Sequence, residues 1–463
     1  MSTTASAARP RPPAPRPREA PLGALATLWL LRKNPIETWT RAHFELPIVI
    51  GPTVLGNLAV VSDPGAIRRV LVDNAGAYRK DELQKRILGE ALREGVLVAE
   101  GEAWRAQRRA LAPLFTPKMI ASFAPTMAAA AQALVSRWAG FGEGARFDVQ
   151  PEIARATLDV LGRTLFSDGL GQDPAAFTKP LTDYFRTIGT FDPFDLLGLP
   201  EWAPRFGKRG GAKALAFFDA AVDGLIARRR ALIEGGGAPR DILGLLLDAR
   251  DPQTGAGLTD AEVRANVVTF IGAGHETTAD AVIWSLFLLS MAPDWRARLA
   301  AEADEALDGG AEEAVGRLVA TRAVIEEAMR LYPPVASISR TAAEFDVLAG
   351  RRVRRGTLVI ISQWVLHRHR LLWDEPDAFD PRRFLPGARE TIDRFAYLPL
   401  GAGPRVCIGG TFALQEAALI LAHILRDFTL KPVPGRAIKP VQRLTLSPDG
   451  GLPMILRRRR RDE

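Results

Sequence analysis

Cysteine is almost absent: the 463 residues contain one, Cys407. A lone thiol excludes an internal disulfide framework and a multi-cysteine zinc site, and it fits a reducing, cytoplasmic setting. Long apolar runs are missing too. No stretch approaches the ~20 residues that a membrane-spanning helix needs, and the best N-terminal candidate, Leu22 to Leu31, is far shorter. No transmembrane segment is expected. Internal repeats with a period of roughly 20–50 residues are absent, which excludes solenoids and propellers.

Nucleic-acid chemistry is excluded next. The net charge is +8, but most of the excess sits in two tails. Arg9, Arg11, Arg16 and Arg18 stand against Glu19 at one end, and Arg457 to Arg461 against Asp462 and Glu463 at the other. A nucleic-acid binder carries its basic stripe on a folded face, with aromatics or a recognisable module, and neither is present. Pro10, Pro12, Pro13, Pro15 and Pro17 oppose a helical targeting peptide, so residues 1–21 are expected to form a disordered arm and 457–463 a charged tail. Between them, 47% hydrophobic and 25% charged residues are ordinary for a folded chain with a sizeable core.

What is present is mostly helix. Helical periodicity covers Ala103 to Leu111, Ala121 to Trp138, Ile153 to Phe166 and Ala212 to Ile233, broken by Gly/Pro loops. The longest helix is predicted to start after Thr259, with Glu262 completing a capping box, and to stop at about Met291 before Pro293. Short strands are predicted at Leu46 to Ile50, Leu58 to Val61, Leu358 to Ile361, Phe428 to Lys431, Leu444 to Leu446 and Met454 to Leu456. The fold class is mainly α with small β-sheets.

The cysteine lies in Leu400-Gly401-Ala402-Gly403-Pro404-Arg405-Val406-Cys407-Ile408-Gly409-Gly410, just before a helical pattern from Thr411 to about Arg426. Glycines permit unusual backbone angles and close approach by a flat partner. A helix N-terminus and Arg405 favour a thiolate. Such a sulfur can attack carbon, exchange with disulfides or bind a metal. A second constellation, Ala273-Gly274-His275-Glu276-Thr277-Thr278, falls inside the long helix, with Ala273 and Thr277 on one face. A zinc-protease reading of His275-Glu276 fails because position 279 is alanine.

The cysteine loop resembles the heme-binding loop of the cytochrome P-450 family. Gly401, Gly403, Arg405, Cys407 and Gly409 match; Leu400 stands where that family usually has an aromatic ring. The resemblance runs in family order from about residue 40 to 456. It implies a triangular helical prism, one heme domain over residues 22–456, with heme b between the long helix and the cysteine loop. It implies Cys407 as the iron ligand and Glu276 and Thr277 as the pair that manages protons when dioxygen is split. Ala273 and Gly274 would line the cofactor, while Trp104, Arg108, Arg340 and Arg405 would hold its propionates. Glu327 and Arg330, with Arg383, would form a buried ion network, although three-apart Glu–Arg pairs are ordinarily worth only ~0.2–0.5 kcal/mol at a surface.

The implied activity is hydroxylation of an apolar small molecule with dioxygen. No flavin or iron–sulfur module follows the last strand, so the two electrons are expected from a separate ferredoxin or flavodoxin with its reductase. Arg105 and Arg109 are candidates to dock that carrier. The pocket is expected from Leu83 to Val98, Phe185 to Leu199, Phe270 to Ala273, Val335 to Ile338 and Pro448 to Leu452. A peroxide-driven or redox-neutral heme-thiolate enzyme, or a non-catalytic heme sensor, stays open as the alternative.

Overall fold

The long helix decides the architecture. In the computed structural model, which describes residues 9–53, 56–167, 208–239 and 241–459, this helix spans Asp260–Ser290. Its start is local chemistry. The Glu262 N–H donates to the Thr259 hydroxyl at 3.2 Å, and the Thr259 N–H donates to the Glu262 carboxylate at 2.8 Å, so two otherwise orphaned donors are satisfied. From Val263 to Leu289 nearly every residue is buried, because the helix runs through the core. It packs against Val149–Leu165 on one side and against Val319–Leu331 and Gly410–Asp427 on the others.

Sheets lie beside this helical body. The largest has five strands in the order Ile48–Thr53, Gly56–Val61, Leu358–Ile361, Ile338–Ala342 and Tyr78–Arg79. Its register sets Ala59 opposite Val359, Arg340 opposite Val359 from the other side, and Arg79 opposite Thr341. That pairing brings Lys80, the next residue, to the strand that carries Arg340. A second sheet orders Arg146–Asp148, Pro453–Arg458 and Phe428–Pro432. Among the described residues no helix is long and apolar enough to cross a membrane.

Three expectations are corrected. The Pro/Arg-rich arm is not loose from residue 9 onward. Arg9 pairs with Glu375 at 2.7 Å, the Pro10 carbonyl accepts the Phe379 N–H at 2.8 Å, and the Tyr332 hydroxyl donates to the Pro13 carbonyl at 2.8 Å. Proline-rich chain is already extended and keeps its carbonyls free to accept, so it docks as a strap. The charged tail also begins later than residue 457, since the last strand includes Arg458 and Arg459 pairs with Asp304 at 2.7 Å. Finally, the strand expected at Leu444 to Leu446 begins only at Leu446, residues 443–445 being the turn between Pro440–Gln442 and Leu446–Pro448; a tertiary contact, the Trp284 indole N–H donating to the Leu446 carbonyl at 2.8 Å, fixes that hairpin. Residues 1–8, 460–463 and the Phe185 to Leu199 segment lie outside the described residues.

Candidate active site

The cysteine loop is held by its own backbone and by two distant elements. The Cys407 N–H donates to the Leu400 carbonyl at 2.9 Å, closing the loop. Upstream, the Leu398 N–H donates to Nε2 of His367 at 2.9 Å. His367 is kept neutral there, since burial first and then Arg330 and Arg368 push its pKa down to about 3. Gly403 sits at φ +72°, and a Cβ on it would stand 2.0 Å from the Leu71 carbonyl oxygen; only glycine fits. Gly401 and Gly409 complete the turn toward the helix Gly410–Asp427. Leu400 packs where a Cβ on Gly410 would meet it at 2.9 Å, so an aliphatic side chain occupies the space beside the sulfur-bearing turn.

Cys407 has an exposed side chain, yet burial pushes its thiol up, opposed by the Gly409 N–H and by Arg108. Both statements hold if the surface it shows faces an interior space rather than bulk water. The sequence reading weighed only the terms that favour a thiolate; desolvation outweighs them. An ionised sulfur is therefore costly in this space until a cation binds it.

The long helix opens onto the same interior. Ala273 is exposed, and Gly274, Glu276 and Thr277 are half-buried, inside an otherwise buried run. The Thr277 hydroxyl donates to the Ala273 carbonyl at 2.7 Å, so both share the open face. Phe115 ties the two elements together: its ring meets Phe270 edge-on at 5.4 Å, and a Cβ on Gly409 would lie 4.0 Å from it. Gly274 also has a packing role. Its missing Cβ would stand 3.1 Å from Leu161, so the glycine admits the neighbouring helix.

A ring of cations borders this space. Arg405 stacks on Trp104 at 4.2 Å and donates to the Ala99 carbonyl at 3.0 Å. Arg340 donates to the Ser339 carbonyl at 2.7 Å, and Arg108 shares the helix Gly101–Leu111 with Trp104. Lys80, which sequence reasoning missed, joins them at 6% exposure. Burial is the first cause lowering all four pKa values, with Arg405 down to about 10 and Lys80 to about 7. Among the described residues Lys80, Arg108 and Arg340 have no carboxylate in ion-pair contact, while Glu100 is already engaged by the Lys80 N–H at 2.8 Å and by Lys85 at 3.2 Å. Surplus buried positive charge calls for an anion, and the two carboxylates of a porphyrin supply one. The residues fit the group. Among the described residues no cluster of three or more His, Cys, Asp or Glu could hold a metal ion.

The docking expectation fares less well. Arg109 is committed to Asp251 at 2.7 Å and to Glu102 at 2.9 Å, and both acids raise its pKa. Behind the loop, Glu327 and Arg330 are fully buried and doubly hydrogen-bonded at 2.7 and 2.8 Å, with Arg383 looser at 3.8 Å.

Comparison with known proteins agrees with this arrangement. The family model described as Cytochrome P-450 matches residues 52–453. The chain is 35% identical to "Cyclooctatin synthase" of Streptomyces melanosporofaciens, covering 85% of this chain and 84% of that protein. It is 34% identical to "Cyclooctat-9-en-7-ol 5-monooxygenase" of the same organism, with 90% and 89% covered. The crystal structure of the cytochrome P-450DA heme domain superposes with a TM-score of 0.82 at 27% identity, covering 98% of each chain. The chain therefore belongs to the cytochrome P-450 family, and it is a heme-dependent monooxygenase.

Proposed function

We propose that this enzyme hydroxylates a terpenoid, in the cytoplasm, with electrons from a separate ferredoxin or flavodoxin and its reductase. The observation that carries the reading is the exposure of Cys407 and of the Ala273–Thr277 face within an otherwise buried region, beside Lys80, Arg108 and Arg340, which have no described carboxylate in ion-pair contact. The substrate class is supported by relatives whose names specify a cyclooctat-9-en-7-ol and pentalenene, the latter 31% identical with 90% of this chain covered. The lone thiol supports the compartment.

In this reading Cys407 would hold the iron of the bound group, and Gly401, Gly403 and Gly409 would let the loop backbone approach a flat ring. Trp104, Arg108, Arg340 and Arg405 hold the propionates, with Lys80 as a further cation. Bound there, heme b supplies the iron chemistry that splits dioxygen, one atom going to substrate and one to water. Ala273, small and exposed, would leave room for the bound group. Thr277 holds a hydroxyl proton at the open face, and Glu276, one residue away, exchanges protons with it. The apolar residues Phe270, Val335 and Ile338 exclude water around an apolar guest.

Terpenoids should shift the heme spin state on titration, and product should form with ferredoxin or flavodoxin and reductase. Equal turnover on peroxide alone, or no product from any terpenoid, sinks the proposal. Thr277→Ala should lower product formed per NADPH about tenfold or more, within the ~10²–10⁴ that positioned proton transfer contributes, while oxygen uptake continues. Unchanged coupling removes Thr277 from the mechanism. Lys80→Met should speed loss of heme to an excess of apo-globin by ~10-fold or more, since a charge-assisted hydrogen bond is worth ~1.5–3 kcal/mol; an unaltered transfer rate places Lys80 outside the cradle.

A further inference from the structure

The long helix carries a second buried acid that the Glu276–Thr277 pair leaves unused. Asp280 is 3% exposed and lies one helical turn beyond Glu276 on the same face. One of its carboxyl oxygens has no hydrogen-bond partner; the carboxyl is hydrogen-bonded to Thr445. Among the described residues no cation is in ion-pair contact with it. A carboxylate buried without a cation is expensive, and burial first, then the charge of Glu276, raise its pKa well above the usual carboxylate range. Burial thus favours the protonated form of Asp280, beside the half-buried Glu276.

The contact with Thr445 is built rather than incidental. Trp284, one further turn along the same face, donates to the Leu446 carbonyl at 2.8 Å and stacks on Tyr332 at 3.8 Å with an interplanar angle of 12°. This pins the hairpin Pro440–Gln442/Leu446–Pro448 to the helix and seats its turn residue Thr445 against Asp280. Thr445 is itself half-buried, and Arg443, two residues away in the same turn, is exposed. The groups thus run from the solvent side through Thr445 and Asp280 to Glu276.

We propose that Asp280 is a proton reservoir behind Glu276, refilled through the Thr445 hydroxyl. The inference rests on the reading of Glu276 and Thr277 as the proton-handling pair. The Asp280 O–H bond breaks as an O–H bond forms on the Glu276 carboxylate. Thr445 then gives its hydroxyl proton to the Asp280 carboxylate and takes one from solvent; no electrons move. Asp280 acts through Glu276, so it is a proton-supply residue and touches no reacting atom.

Asp280→Asn keeps the shape and an acceptor for Thr445 but removes the acidic proton. The parent-minus-variant infrared difference spectrum of the holoenzyme at neutral pH should contain a protonated-carboxyl band, over the background of the other buried acid Glu416. The variant's product per NADPH should fall several-fold and its solvent isotope effect on turnover should rise, with Thr445→Val moving both in the same direction and Asp280→Glu restoring part of the coupling. A difference spectrum without that band overturns the proposal. If Glu276→Gln and Thr277→Ala uncouple oxygen use while Asp280→Asn does not, the reservoir is overturned and the acid–alcohol reading stands. If all three leave coupling intact, that reading falls and takes the reservoir with it.

Discussion

Cys407→Ser is expected to yield a folded protein that has lost the red-shifted Soret band of a reduced, carbon monoxide-bound heme-thiolate and essentially all hydroxylase activity. The loss should exceed the ~10–100-fold that removal of a mere outer partner of a metal ligand costs, because the sulfur itself supplies the electron density that favours O–O cleavage. Folding should survive for a separate reason. The contacts that shape the loop are backbone ones: the Cys407 N–H to the Leu400 carbonyl at 2.9 Å, the Leu398 N–H to His367 at 2.9 Å, and the approach of Gly403 to Leu71. None uses the sulfur. Circular dichroism should therefore match the parent while the spectrum changes. A serine variant that keeps the thiolate band, or a parent whose fifth ligand proves to be nitrogen, would remove the foundation of the site.

The parts of this molecule that were legible in its sequence are those fixed by short-range chemistry. The Thr259–Glu262 capping box marks a helix start because its partners lie three residues apart. The strand Leu358–Ile361 is an apolar, β-branched run bounded by turn residues, and it forms where expected. The cysteine loop announces itself through glycines, of which Gly403 has a steric reason visible only once Leu71 is placed. What stayed hidden depends on partners far along the chain. Lys80 joins the cations because Tyr78–Arg79 pairs with the strand of Arg340, and no local pattern encodes that register. The arm docks because Phe379, Tyr332 and Glu375 await it. Gly274 is small for Leu161, on another helix, and Arg109 is spent on Asp251 rather than left at the surface. Asp280 escaped for the same reason: its meaning comes from Thr445, a turn residue after the last helix.

Glu327→Ala is expected to destabilise the protein by ~3–5 kcal/mol, the cost of breaking one side of a buried ion pair. The sequence alone favours a tenfold smaller figure, since a Glu–Arg pair three apart on an exposed helix contributes ~0.2–0.5 kcal/mol. Burial decides between them. Both side chains are fully buried, and every N–H of the Arg330 guanidinium is used: Nε and Nη2 on Glu327 at 2.7 and 2.8 Å, Nη1 on the His367 and Pro376 carbonyls at 2.8 and 2.7 Å, and Nη2 again on the Ala378 carbonyl at 2.9 Å. Alanine at 327 would leave that cation facing carbonyls alone, and would also strip the Asp380 N–H of its acceptor at 2.8 Å. Urea unfolding should show a lower midpoint with an unchanged slope, and Glu327→Gln, which keeps an acceptor but not the charge, should fall between. The damage should reach the site through one route. Arg330 grips the His367 carbonyl, and the His367 ring accepts from Leu398 at the head of the cysteine loop, so heme should be lost faster from the variant even under conditions where it remains folded. A shift of a few tenths of a kcal/mol with heme retention unchanged would mean that the cluster carries no load, and that the loop is held by its glycine turn and its contact with Leu71 alone.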